Sequence, residues 1–217
     1  MRGRPFLVLV ISGRAAMQTA VTDRKLEVQS GMSDAIFLDP VAPSLKSVYI
    51  DIKNASGNSL EIADIIAAKL QSRGYRIETD PDKAHYILQA NILYLGRAEV
   101  TAADRMLNNG YGETLEALAG ALAETIINSL VENVTYMAVT DVQISERTEA
   151  PVGQELKSNI KQGSSTVITQ STPGRGYLIR YRTRIVSTAS KVNLKFEDAL
   201  PAIKDCLLYT SDAADDG

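Results

Sequence analysis

Cysteine, histidine and tryptophan are nearly or wholly absent from this 217-residue chain, and the absences exclude several classes of function. The single cysteine, Cys206, excludes a disulfide framework and any multi-cysteine zinc site. The single histidine, His85, excludes histidine-rich metal clusters and leaves little basis for histidine acid–base catalysis. We expect His85 to lie at the surface or at a strand end, with no metal and no cofactor bound.

An excess of basic residues is also lacking. The formal net charge is −3, whereas proteins that bind nucleic acid in bulk normally carry a clear positive excess. No nucleic-acid partner is therefore expected. Hydrophobic residues make up 45% of the chain, which is typical of a folded globular domain. No nucleophile with a base, paired carboxylates or metal set can be assembled from the sequence, so we predict that the protein is not an enzyme.

Both ends of the chain are expected to lie outside the folded domain. Residues 1–13 resemble a secretory signal, with a basic start and an apolar run at 6–11; a buried N-terminal strand is the alternative. Such a run is too short to cross a bilayer, which needs about 20 helical residues. Residues 206–217 resemble a translated sequencing adapter and are assigned no part in fold or function. A single domain over 14–205 is predicted.

The residues after the apolar run resemble a bacterial lipobox without its cysteine. Ile11, Ser12 and Gly13 fit the first three positions, but Arg14 stands where the lipidated cysteine would be. Lipidation needs the thiol sulfur, so acylation at Arg14 is not expected in this copy.

Periodicity in the body predicts an α+β fold with a mixed sheet. Apolar residues that alternate predict strands at 46–53, 75–79, 84–95, 165–170 and in the two long stretches 134–147 and 177–187. Ser59 and Gly74 are the predicted N- and C-terminal caps of a helix that completes a β-α-β unit. A last helix begins near Phe196, and Pro201 is expected to interrupt it. Residues 28–43 are interpreted as a connecting stretch, and the C-terminal long strands as an antiparallel pair.

An inserted helix is predicted at 114–131. Its small residues suit close helix–helix contact in an oligomer or a membrane; packing of its leucine stripe on its own domain is the alternative. The candidate residues are Leu115, Leu118, Ala119, Gly120, Leu122 and Ile126. Glu113, Glu116 and Glu124 oppose a transmembrane position, since each carboxylate in lipid costs roughly 2.5–3.5 kcal/mol.

Three arginines share one face of the last long strand. Arg180, Arg182 and Arg184 alternate with Tyr181, Thr183 and Ile185. Guanidinium groups suit bidentate contact with phosphate, so this stripe is a candidate site for lipopolysaccharide phosphates. A solvated face or protection of a sheet edge is the alternative.

Sequence blocks spread over nearly the whole body resemble the TraT family of conjugative plasmids. The most specific run extends from Val131 to Thr135 and from Thr140 to Thr148. Further blocks lie at 16–21, 24–28, 32–36, 38–40, 52–54, 79–84, 89–91, 107–111, 181–187 and 191–197.

The resemblance implies a non-catalytic outer-membrane lipoprotein exposed at the cell surface and assembled as a homo-oligomer. It implies surface exclusion, which limits uptake of related plasmids by conjugation from a donor-cell mating apparatus, and resistance to complement in serum. The chain departs from the family after the turn at 108–112, where the family's apolar segment is longer. The alternative function is a generic surface or periplasmic module that binds lipopolysaccharide phosphates.

Overall fold

The computed structural model describes residues 25–99, 101–113, 133–148, 168–171 and 177–209. The signal-like segment 1–13, Arg14 and the predicted helix 114–131 lie outside the described residues, so the predictions made for them stay predictions.

The described residues form a seven-stranded sheet and three α-helices. The strands are β1 (Glu27–Met32), β2 (Ser47–Asn54), β3 (Arg76–Glu78), β4 (Tyr86–Arg97), β5 (Asn133–Thr148), β6 (Ile168–Ser171) and β7 (Tyr177–Val192). The helices are α1 (Ala63–Ser72), α2 (Ala102–Asn109) and α3 (Phe196–Tyr209), with a short 3₁₀ turn at Pro43–Leu45. No helix within these described ranges is both long and apolar enough to cross a membrane.

The sheet is mixed, as predicted. Its strand order is β1-β7-β5-β4-β2-β3, and β6 pairs with the first part of β7. β2 is parallel to both β3 and β4. The other neighbouring strands pair antiparallel: β4 with β5, β5 with β7, and β7 with β1 and β6. The β2-α1-β3 unit and the long β5–β7 pair confirm the predicted α+β fold.

The local sequence marks where α1 ends, but it does not mark where α1 begins. Gly74 adopts a φ of 86°, and the N–H groups of Gly74 and Tyr75 donate to the carbonyls of Gln71 and Leu70. This is a Schellman cap, which confirms the predicted C-terminus. The predicted start at Ser59 is wrong, because the helix begins at Ala63 and Ile62 occupies the N-cap position. Ile62 is buried all the same, so its apolar character reflects packing of the segment before the helix.

Helices α1 and α3 cover one face of the sheet, called here the apolar face. From α3, Ala199, Ile203 and Leu207 form a buried stripe at four-residue spacing. The predicted interruption at Pro201 is wrong: the helix continues to Tyr209, and Pro201 points to solvent. Proline removes one backbone hydrogen bond, but the buried stripe holds the residues on both sides of it. Cys206 and Leu207 also belong to this helix, although both were predicted to lie outside the fold.

Helix α2 covers one end of the opposite face, called here the polar face. Met106 packs there against Met137, Val139 and Val186. Leu107 approaches β1 so closely that a Cβ on Gly31 would lie 2.9 Å from its Cδ1 atom, so any larger residue at position 31 would require the Leu107 side chain to shift.

Neither α2 nor β1 is predicted from the sequence. β1 (Glu27–Met32) occupies the first part of what was interpreted as the connecting stretch. Most of its side chains are exposed, so it lacks the apolar alternation that marks a half-buried strand.

Candidate functional site

A cavity of about 400 Å³ lies on the apolar face, between the central strands, α1, the end of α3 and the segment that joins β1 to β2. Its floor is formed by β4 and β5, with Leu88, Val142 and Ile144 among the lining side chains. Ile66 of α1 and Leu207 of α3 contribute to its walls. The lining is therefore predominantly hydrocarbon, as in most small-molecule sites.

Basic side chains concentrate at one side of the cavity. Lys46, Lys69 and Arg73 line it, and among the described lining residues Asp39 is the single acidic one. The Lys46 ammonium lies 5.4 Å from the centroid of the Tyr75 ring, a cation–π contact. The charged groups of this part of the lining are mostly cationic.

A cluster of titratable groups adjoins the cavity through Tyr86, which lines it. Glu146 accepts hydrogen bonds from the hydroxyls of Tyr86 (3.4 Å) and Tyr181 (3.1 Å). The Nε2 atom of His85 lies 3.6 Å from the same carboxylate, and its ring contacts Tyr86 edge-on. Burial, with the negative charge of Glu146, raises the pKa of Tyr86 and raises the pKa of Tyr181 to about 12. Both phenols therefore stay protonated donors at neutral pH.

His85 directly precedes β4, which agrees with the predicted strand end. Its side chain is only 13% exposed, so it is not a surface histidine. Sequence reasoning missed Glu146 as its neighbour, because 61 residues separate the two and only the β4–β5 register joins them. Among the described residues, no group of three or more His, Cys, Asp or Glu side chains is arranged to hold a metal.

Amide and charged side chains form a continuous row across four strands of the polar face. Gln89 donates to Asp51, Gln143 donates to Gln89, and Arg182 donates to Gln143, over distances of 3.4, 3.0 and 2.8 Å. The Arg182 guanidinium also lies 5.1 Å from the Tyr111 ring centroid. Each member of the row is thus held by its cross-strand neighbours.

A buried ion pair occupies the next position along the same strands. Arg184 is completely buried and donates to Asp141 through Nε at 2.7 Å and Nη2 at 3.0 Å. Nη2 also donates to the carbonyl of Glu113, and Asp141 accepts the N–H of Gly112. The pair therefore fixes the chain where the 114–131 segment begins.

This arrangement corrects the interpretation of the arginine stripe. Arg184 is neither solvated nor open to an anion, because Asp141 occupies its guanidinium edge. Protection of a sheet edge is also wrong, since β7 pairs with β5 on one side and with β1 and β6 on the other. Phosphate binding by Arg180 and Arg182, which are partly exposed, stays a prediction.

Comparisons with known proteins agree over most of the chain. The sequence matches the family described as "Enterobacterial TraT complement resistance protein" over residues 25–119 and 114–211. It is 39% identical over 223 residues to a TraT complement resistance protein of Escherichia coli, covering 92% of this chain and 90% of that protein. A TraT complement resistance protein of Wigglesworthia glossinidia brevipalpis is 32% identical over 214 residues, covering 91% and 88%.

One solved structure is more distantly similar. A DUF4136 family protein from Bacteroides thetaiotaomicron gives a TM-score of 0.32 at 10% identity, over 87% of this chain and 97% of that one. A TM-score this low does not establish a shared fold.

Proposed function

Because the chain belongs to the TraT complement resistance protein family, we propose that it protects a bacterial cell from complement and lowers uptake of related plasmids by surface exclusion. The observation that carries the proposal is the extent of the similarity, 37–39% identity to Escherichia coli relatives over 92% of the chain. Both long strands, the central sheet and the helices fall within the matched ranges. The likeness thus concerns a whole folded body.

The proposed role is non-catalytic. Support comes from the hydrogen bonds of two carboxylates. Glu146 accepts hydrogen bonds from two tyrosine hydroxyls, and Asp141 accepts them from Arg184 and from the Gly112 N–H. Groups held in this way stabilise the fold and are not available to activate a nucleophile or a water molecule.

The proposed location is the outer membrane at the cell surface, with the chain assembled as a homo-oligomer. The signal-like residues 1–13 support export, and the small residues around Gly120 support contact between neighbouring copies. Asp141 and Arg184 hold Gly112 and Glu113 on the sheet just before that segment. The proposed external partner is the mating apparatus of a donor cell.

A mating experiment tests surface exclusion. Recipients should express Arg14→Cys, which supplies the thiol that lipidation requires, or the matched variant Arg14→Ser, which has a similar size but no thiol. We expect fewer transconjugants with a cognate plasmid in Arg14→Cys recipients than in empty-vector recipients, and a smaller effect or none with Arg14→Ser.

A serum-survival experiment on the same strains tests complement resistance. Arg14→Cys cells should outlast empty-vector cells in active serum and should not differ from them in heat-inactivated serum. Immunoblots of the outer-membrane fraction verify that the protein is present. If Arg14→Cys accumulates there and both transfer and serum killing equal the empty-vector values, the proposed function is wrong.

A further inference from the structure

The centre of the apolar face is not closed by the helices. Leu88 on β4 and Val142 and Ile144 on β5 point to this face from the two middle strands, yet each is only partly buried. Middle-strand apolar residues beneath helices normally lose almost all contact with water. Their partial exposure marks a space that the described parts of the chain leave unfilled.

The size and lining of this space suit hydrocarbon. Its volume, about 400 Å³, lies near the lower end of the roughly 300–1,000 Å³ found for small-molecule sites. Ile36, Leu38, Ile66 and Leu70 also line it. Ordered water needs two or more polar partners, and most of the lining side chains offer none. Because the volume lies near the lower end of that range, we take a single hydrocarbon chain as the occupant.

Three basic residues of the lining, called here the cationic rim, would favour an anionic head group: Lys46, Lys69 and Arg73. Lys69 and Arg73 are four residues apart at the end of α1, on the same side of the helix. Lys46, directly before β2, lines the same cavity, and Asp39 is the one acidic residue in the described part of the lining. A carboxylate or phosphate head group would be attracted to these cations, whereas a cationic head group would be repelled.

Large apolar side chains are exposed close in sequence to the lining residues. Phe37 is 75% exposed between the lining residues Ile36 and Leu38, and Leu45 and Ile65 are also exposed. Exposed apolar side chains in this part of the chain are compatible with the approach of a hydrocarbon chain or a lipid surface.

From these observations we infer that the cavity binds one fatty acyl chain that carries an anionic head group. This inference does not depend on surface exclusion or complement resistance, and it is tested without either assay.

The test is a titration of the full chain with cis-parinaric acid, a fatty acid that fluoresces in apolar surroundings. Saturable binding of one molecule per chain is expected. Palmitate should displace the probe about tenfold better than methyl palmitate, which has the same hydrocarbon chain without the charge.

Reversing the charge of two rim lysines tests the contact with the head group while leaving the apolar lining unchanged. Lys46→Glu combined with Lys69→Glu should weaken palmitate binding about tenfold and change methyl palmitate binding by less than about twofold. The matched control is Lys25→Glu with Lys53→Glu, which changes the net charge equally at two exposed lysines outside the cavity; it should bind both ligands like the parent. A second variant, Val142→Trp, fills the cavity and should abolish binding of both ligands while circular dichroism remains unchanged.

Three results would overturn the inference: no saturable binding of the probe, equal displacement by palmitate and its methyl ester, or normal binding by folded Val142→Trp. Phosphatidylglycerol vesicles that carry a parinaroyl-labelled lipid identify the source of the acyl chain. A signal from the vesicles that Val142→Trp loses assigns the site to membrane lipid. A signal confined to the free acid assigns it to free fatty acid.

Discussion

In the part of the chain that the structure describes, the apolar face of the sheet carries two helices and keeps a cavity at its centre, whereas the polar face carries one helix and a hydrogen-bonded centre around Arg184. The difference follows from the forces involved. Hydrophobic contact is non-directional, so α1 and α3 can pack at the margins of a face and leave its middle open. A buried guanidinium requires hydrogen-bond partners at defined distances, so Asp141 and residues 112–113 pack directly against Arg184.

The largest expected effect comes from breaking the buried ion pair. Asp141→Ala leaves the Arg184 guanidinium buried without a counter-charge and should lower the free energy of unfolding by about 3–5 kcal/mol, measured by urea denaturation. The double variant Asp141→Leu with Arg184→Met should recover most of that loss, because both charges are removed together. A loss below about 1 kcal/mol for Asp141→Ala would mean that water reaches the guanidinium.

Truncation at two places on the apolar face compares its packed part with its open part. Ile203→Ala should cost about 2–5 kcal/mol, since Ile203 is wholly buried under α3. Ile144→Ala should cost clearly less, because Ile144 borders the cavity and already contacts water. Chemical denaturation of both variants provides the comparison, and equal losses would show that the cavity is filled in the folded protein.

A smaller effect is expected from cutting the polar row. Gln143→Ala removes the side chain between Gln89 and Arg182 and should cost about 0.5–1.5 kcal/mol in the free energy of unfolding. Gln29→Ala, on the exposed edge strand β1, serves as the control and should change stability by no more than about 0.5 kcal/mol. Indistinguishable losses would mean that the row adds no stability.

The remaining prediction concerns alkaline pH and the tyrosine cluster beside the cavity. The pKa of Tyr181 is raised from 10.0 to about 12 in the folded protein, so the unfolded chain loses this proton first. The free energy of unfolding should therefore fall as pH rises from about 10 to 12. Tyr181→Phe should reduce that slope, and Glu146→Gln should reduce it in part because it removes the nearby negative charge. An unchanged slope in Tyr181→Phe would contradict the assignment.

Much of the sheet is predictable because apolar and polar residues alternate along half-buried strands. This alternation is present in β2, β4, β5 and β7. Gly74 marks the end of α1 because its positive φ is a conformation that other residues rarely adopt. β1 has no such alternation because it is an exposed edge strand, and the short helix α2 was likewise not predicted. Of the candidate site, the shared face of Arg180, Arg182 and Arg184 was predictable, but the burial of Arg184 was not.

The sequence by itself determined the alternation of the long strands, the absence of multi-cysteine and histidine-rich sites, and the family resemblance, because each of these is a property of residues and their spacing along the chain. Only the tertiary structure decided which face each helix covers. It also brought Asp141 to Arg184 across 43 residues, joined Glu146 to His85, and left an apolar cavity with a cationic rim. Periodicity specifies which side chains share a face, whereas burial and charge pairing depend on strand order and on the elements packed above that face.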